Sequence, residues 1–560
     1  MASENSFLIK IEKKRVNTAK SVLDFKFAKS RIRHLHGPEE FPGLVDESES
    51  APMSVLYWMI RDQRVQDVAM GRLTTQLSTT CALSVVCEIP RHYWENKHVL
   101  WSSEQKETDF RGGMNNWAML YAQRLALKFR VPLHVCFCLA PCYQADTLRH
   151  LSFMLSGLVE VEQECRSLNI PFHLVNADNH LGPDENRKSG MQARWSPNYT
   201  TSSSAQIYDA AVAQAVGSLV KSLHVGCLVV DFSPLRAPSA WVESVVRALP
   251  EDIPVCQVDA HNIVPVWCGS DKLESHARTI RPKLFSKTVK YLTEFPPVII
   301  HPFQNEMDTN CQSMIDWQSI KANHFVDSSV DAVTWATPGT KAAFEVLRSF
   351  IEERLKGFDA QRNNPANPAL SGLSPWFHFG QISPQRSILE VSAVRKSYVR
   401  SADIFIEEAF NRRELAENFC FYNRLYDCLQ GAREWAQETL MKHAKDKRLV
   451  AYTRKQLENA ETADDLWNAA QRQLVHTGKM HGFLRQYWAK KILEWCAEGP
   501  QTAIDWAVYL NDRFSLDGTD PNGYVGMCGV LLFAFCFRTN NLLAVSHLAF
   551  DKLCQTFTYT

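Results

Sequence analysis

The sequence predicts an α/β domain followed by an all-helical one. Two patterns carry that expectation. Short apolar strands alternate with amphipathic helices as far as about residue 235, and from Thr340 onward the apolar repeat is almost wholly helical. Length agrees, because 560 residues exceed what one ordinary core absorbs.

Residues 1–50 read as a polar arm rich in Lys and Arg, with IEKKR and KSRIRHLH, expected to be solvated and mobile. SVLYWMI (54–60) is a buried-strand run, WAMLYAQRLALKF (117–129) a helix and PLHVCFCLA (132–140) a second strand. A long amphipathic helix at 146–168 leads into strand-like PFHLV. A Ser-, Asn- and Gly-rich loop at 176–206 precedes the strand in CLVVDFSPL (227–235). Strands joined through helices imply right-handed crossovers and a parallel, Rossmann-like sheet over 51–269. Residues 270–340 mix prolines with polar segments, as a connector does, and 341–526 form the helical domain. Its helices are read in KAAFEVLRSFIEERL, QRSILEVSAVRKS, DIFIEEAFNRRELAENF and DDLWNAAQRQLVH.

Composition bounds the function classes. Hydrophobic content of 45% and charged content of 22% describe a soluble globular chain. Lys plus Arg and Asp plus Glu are 61 each, so net charge argues for no nucleic-acid partner. The 16 cysteines are scattered through apolar stretches, as in a reducing compartment, and form no zinc-ligand pattern, so no metal is expected. Met1 is not followed by an apolar signal segment, and nothing approaches eighteen uninterrupted apolar residues, so neither secretion nor a membrane span is expected. The first strand-helix turn lacks GxGxxG, which leaves nothing to argue for NAD.

The most informative stretch is TGKMHGFLRQYWAKKILEW (477–495). Its Trp488 and Trp495 stand seven apart on one helical face, and Trp467 lies one element earlier. Tryptophans at that spacing are, taken alone, core residues. Further motifs accompany them in order: RDQRVQD, NNWAMLYAQRLAL, VDFSPL, VDAHNIVPVW, ARTIRPK, LSGLSPWFHFGQIS and LNDRFSLDGTDPNGYVG. Together, over roughly 53–67 and 116–526, these resemble the class II cyclobutane pyrimidine dimer photolyases of the photolyase/cryptochrome family.

That resemblance implies an N-terminal Rossmann-like domain and a helical FAD-binding domain. It implies light-driven electron transfer from reduced FAD to a dimer flipped out of DNA, because a stacked base cannot approach a buried donor. By motif position, Phe358, Leu370, Ser371, Leu373 and Ser374 correspond to the FAD phosphate and ribityl pocket. LSGLSP read alone is a helix cap beside a turn. Arg485 and Asp517 correspond to a salt-bridged pair beside the flavin, and Asn511 to the amide facing flavin N5. Glu408 corresponds to the acid that hydrogen-bonds a pyrimidine carbonyl, best done by a protonated carboxyl in an apolar pocket. Its rival reading is one member of a solvated helix face with i,i+4 pairs. Arg412 and Tyr452 would line the same pocket, and Arg362 would sit near the dimer phosphate. Trp488, Trp467 and Trp495 correspond to the path that reduces oxidised flavin in light. Relatives also carry an antenna chromophore, which no residue here identifies. A monomer acting on DNA inside the cell, the nucleus above all, is the expected setting.

Two segments depart from the family pattern. Residues 68–115 separate the first strand from its helix, and 527–560 replace the family's ending, with Gly529 where a dimer-stacking tryptophan belongs and an apolar run in place of a basic tail. We read both as translated introns or gene-model errors, which puts activity of this chain in question through lost stacking and phosphate contacts. The alternatives are a cryptochrome-like flavoprotein without repair activity and a non-functional splice product.

Overall fold

The computed structural model describes residues 10–11, 14, 18–41, 44, 53–65, 116–140, 147–181, 203–304, 315–323 and 326–526. Segments 68–115 and 527–560, with Gly529, lie outside the described residues, as does most of the loop expected at 176–206.

Six strands form one sheet: β1 (Ile32–His36), β2 (Ser54–Met59), β3 (Leu133–Leu139), β4 (Phe172–Asn176), β5 (Val225–Asp231) and β6 (Val255–Val258). Their order is β1-β6-β5-β2-β3-β4. All neighbours are parallel except β1 against β6. Every residue of β2, β3, β5 and β6 is buried, as befits parallel strands covered on both faces. Alternation sorts β2 between two layers. Val55, Tyr57 and Met59 pack with α1 (Trp117–Phe129) and α2 (Leu148–Ser167), whereas Leu56 and Trp58 pack with α3 (Ser203–Ser222) and α4 (Arg236–Ala248). Asn116 starts α1: its side chain accepts from the amides of Ala118 (2.9 Å) and Met119 (3.2 Å) and donates to the Tyr57 hydroxyl at 2.8 Å.

The arm reading of 1–50 is corrected in part. Strand β1 lies within it, and Arg31 is only 1% exposed. Its guanidinium donates to the carbonyls of Asn262 (2.9 Å) and Ile263 (2.6 Å) and lies 4.9 Å from the Trp117 ring centroid. A fixed fork of donors that meets several carbonyls outweighs the solvation that the composition suggested.

From Thr340 the chain is helical: α5 (Thr340–Ser349), α6 (Ser374–His378), α7 (Val399–Ile406), α8 (Arg413–Tyr422), α9 (Asp465–Thr477), α10 (Gly482–Trp495) and α11 (Pro500–Phe514). Residues 270–340 are not a break in packing. One hydrophobic cluster runs from Val55 through α1 and α2 to Phe344, Phe405 and Phe410. Arg149 on α2 reaches the helical half, donating to the carbonyls of Phe514 (2.6 Å) and Val475 (2.7 Å) at the ends of α11 and α9. There a cation meets the unpaired carbonyls and negative dipole of a helix C-terminus. No described helix is long and apolar enough to cross a membrane.

Candidate functional site: a charged cavity beside a tryptophan array

A cavity of about 520 Å³ opens in the helical half, walled by Phe358, Arg362, Leu370, Ser371 and Ser374, by Phe405 and Glu408, by Lys479–Phe483 with Arg485, and by Asp517, Asp520 and Gly523. Its size falls in the range of cofactor pockets, roughly 300–1,000 Å³. Gly380, with φ +66°, lets the loop after α6 close on the sheet, since a Cβ there would meet the Arg61 carbonyl oxygen at 2.4 Å.

The floor is ionic. Asp517 Oδ2 lies 2.7 Å from Lys479 Nζ, and Asp517 Oδ1 lies 3.8 Å from Arg485 and accepts from Ser515 Oγ at 2.8 Å. Lys479 also donates to Ser374 Oγ. Burial would push the Asp517 carboxyl up, but Lys479 and then Arg485 outweigh it and hold it well below the usual carboxylate range. The nearer counter-ion is therefore Lys479, a residue that motif matching passed over although it stands inside GKMHG.

Behind that floor lies a buried charge cluster joining the two halves. Arg61, at the end of β2, grips Glu417 on α8 with two bonds of 2.6 and 2.9 Å and lies 3.6 Å from Asp520. Arg413 Nη1 stands 3.8 Å from Glu417. Asp62 pairs with Arg64 at 2.5 Å and with His261 at 3.0 Å, and His261 lines the cavity. Burial and the Arg61 charge push the His261 ring down to about 4, so it is neutral near pH 7. His378 contacts Asp520 at 3.3 Å. His261 and Asp520 belong to VDAHN and DPNG, so their motifs were visible while their partners, hundreds of residues away, were not.

At the mouth, helix α7 gives way to a π-helical turn, Glu407–Arg412. The wider turn sends adjacent carboxylates to different neighbours. Glu407 binds Arg281 (2.6 and 3.0 Å) and Asn411 (2.8 Å), whereas Glu408 pairs with Arg362. Burial raises the Glu408 carboxyl above its ordinary range, with Arg362 opposing.

Of the residues singled out from sequence, Phe358, Leu370, Ser371, Ser374, Arg485, Asp517, Arg362 and Glu408 meet at this cavity. Leu373 is buried in the core beneath it. Asn511 is set behind the wall, donating to the Gly518 carbonyl and to Asp512, each at 3.0 Å, with Gly523 in front of it. Arg412 points away: its side chain is 62% exposed and lies 3.5 Å from Glu407. Tyr452 stands apart from Glu408, with its ring 5.2 Å from that of Trp495.

The tryptophans form one array. Trp467 lies parallel to Trp488 (centroids 6.1 Å, planes 4° apart) and edge-on to Trp495 at 5.5 Å. Thus α9 supplies the ring that bridges the pair on α10. Polar hydrogens are satisfied: Trp488 Nε1 donates to Gln471 at 2.9 Å and Trp467 Nε1 to the Trp488 carbonyl at 3.0 Å. One turn before Trp488, Arg485 faces the cavity.

Solved structures share this architecture. A Synechocystis cryptochrome superposes with a TM-score of 0.59 over 91% of this chain and 89% of its own, at 13% identity. An archaeal photolyase from Sulfolobus tokodaii, solved with two FAD molecules, gives 0.51 over 90% of each chain, at 13% identity. The fold is that of the photolyases and cryptochromes. A DNA photolyase family model matches residues 107–298. The deoxyribodipyrimidine photo-lyase of Potorous tridactylus is 46% identical over 524 residues, which span 93% of this chain and 81% of that one. The chain belongs to the deoxyribodipyrimidine photo-lyase family.

Proposed function

We propose that this chain repairs cyclobutane pyrimidine dimers in DNA by a light-driven, flavin-dependent lyase reaction. One observation carries the assignment of the site: a single cavity combines an ionic floor with a half-buried carboxyl at its mouth, beside a buried tryptophan array.

FAD fits the cavity. The volume suits a dinucleotide, and Lys479 and Arg485 offer cations to its anionic groups. Arg362 Nε, buried in the wall, has no hydrogen-bond partner among the described residues. Phe358, Leu370, Ser371 and Ser374 would hold the phosphates and ribityl chain, and Arg485 with Asp517 the ring. Bound and reduced, FAD supplies the light-excited electron that opens the cyclobutane ring and accepts it back once the ring has split.

The chain's own residues do the rest. Glu408 donates a hydrogen bond to a pyrimidine carbonyl and so stabilises negative charge arriving there. Arg362 takes the adjoining phosphate by its planar fork of donors. Lys479 and Arg485 fix Asp517 so that the charge beside the ring does not move during the reaction. Trp495, Trp467 and Trp488 pass an electron inward to the cavity. Arg412 and Tyr452 stay outside the dimer pocket in this assignment, and Tyr452 joins the array. A flipped dimer is required, since the cavity admits a base only out of the stack.

The test is light-dependent repair of a dimer-containing oligonucleotide by the full chain with its flavin pre-reduced. Loss of dimers in light and none in the dark is expected. No repair by flavin-loaded protein would overturn the proposal.

A further inference from the structure

The contact at the cavity mouth carries a consequence for how damage is recognised. Among the described residues, Arg362 is the side chain that bonds Glu408. An ionised carboxylate only accepts hydrogen bonds, and a pyrimidine carbonyl also only accepts. Glu408 held by Arg362 is therefore in the wrong state to meet a dimer.

Both side chains lie at the mouth, with Arg362 28% and Glu408 42% exposed, so an incoming molecule reaches them together. Arg362 is anchored by its backbone, whose carbonyl lies 3.0 Å from His481 Nε2, while its buried Nε has no hydrogen-bond partner among the described residues. The guanidinium can thus change partner without moving the chain. The other groups around Glu408 leave it free to respond. Glu407 is committed to Arg281 and Asn411, Arg412 leans on Glu407 at 3.5 Å, and His481 faces Arg362.

We propose that binding of a damaged strand is coupled to uptake of one proton by Glu408, with Arg362 holding Glu408 ionised until a DNA phosphate draws the guanidinium away. This rests on the repair reading above. In the free cavity a carboxylate faces a guanidinium. In the complex the guanidinium faces a phosphate, and the carboxyl, having gained one proton from solvent, donates to the pyrimidine carbonyl. No other bond forms or breaks. Undamaged DNA offers phosphate but no flipped carbonyl, so it draws no proton to this site. Arg362 thus acts twice, on the DNA phosphate directly and on the protonation of Glu408.

The experiment is calorimetric titration of the FAD-loaded chain, in the dark, with a dimer-containing and with an undamaged oligonucleotide. Each is run near neutral pH in two buffers of different ionisation enthalpy. About one additional proton is expected per damaged site, with Kd weakening about tenfold per pH unit above neutrality. Glu408→Gln, whose amide can donate to the carbonyl without titrating, abolishes the additional proton and the pH dependence of Kd, whatever its own affinity. Arg362→Gln lessens the uptake, because Glu408 then starts closer to neutral. Selective binding with no proton linkage, or the same linkage in Glu408→Gln, overturns the coupling alone. No preference for the damaged strand overturns the repair reading and the coupling together.

Discussion

Replacing Arg61 by Met tests whether the two halves are held together by charge. Arg61 and Glu417 are 2% and 1% exposed, and the bidentate contact crosses from β2 to α8. Removing one partner of such a pair strands a buried charge and typically costs about 3–5 kcal/mol. Here Arg413 remains 3.8 Å from Glu417 and shares the compensation, so the lower end, about 3 kcal/mol, applies. With an unfolding entropy of about 2 cal/mol/K per residue, that corresponds to a Tm lowered by about 2–3 °C if the chain melts as one unit. If the halves part first, an early separate transition appears instead. The pH dependence carries the sign. In the parent, burial opposes ionisation of Glu417 but Arg61 outweighs it and depresses the carboxyl, so its stabilisation is present above the unfolded carboxylate range and is lost as pH falls. In Arg61→Met the carboxyl rises, so the variant loses most between pH about 5 and 8 and recovers towards acid. Calorimetric melting of the full chain across that range is the assay. A Tm equal to the parent's near neutral pH would refute the reasoning. So would an equally large loss in the double variant Arg61→Met/Glu417→Leu, which removes both charges.

Other substitutions probe the site itself. Lys479→Met leaves Asp517 with only the more distant Arg485, so flavin retention after gel filtration should fall further than in Arg485→Lys; equal retention in both would show that Lys479 is not the principal counter-ion. Trp467→Phe removes the ring that touches both Trp488 and Trp495, and light-driven reduction of bound oxidised flavin, followed by absorbance, should all but stop; an unchanged rate would place the path elsewhere. Glu414, buried on α8 where it accepts from the Ile263 amide at 2.6 Å, is raised by burial to about 8, well above the unfolded range, so the parent loses stability as pH rises from about 4 to 8. Glu414→Gln stays neutral, and its Tm relative to the parent should climb over that window; a constant difference would mean that Glu414 is not the group titrating.

Much of this was readable before any coordinates. β2, β3 and β5 are short, mainly apolar runs, and the motif residues Phe358, Ser371, Arg485 and Asp517 do converge on one cavity. What escaped has physical reasons. β1 is an edge strand whose half-buried side chains, IRHLH, keep the polar composition of an arm. Lys479 looks like a loop lysine until a carboxylate from Asp517 arrives. Arg61, Asp62 and Arg64 read as the polar end of a strand, and only the tertiary fold brings Glu417 and His261 to them. Tyr452, expected at the dimer pocket, packs on Trp495, because tertiary contact and not a place in the sequence decides its neighbours. Side chains on both sides of 270–340 share one apolar cluster, a contact between distant segments that no local pattern displays.

Arg61 and Asp520 stand near opposite ends of the described chain, and the cavity wall needs Asp517, Asp520 and Gly523 as well as Phe358 and Glu408. A nascent polypeptide still short of these last residues has no finished pocket, however well its sheet has formed. The pocket is therefore complete only when Asp517, Asp520 and Gly523 have joined Phe358 and Glu408. Arg61 with Glu417, Arg149 and the shared apolar cluster join the helical half to the sheet, whether or not the cavity is filled.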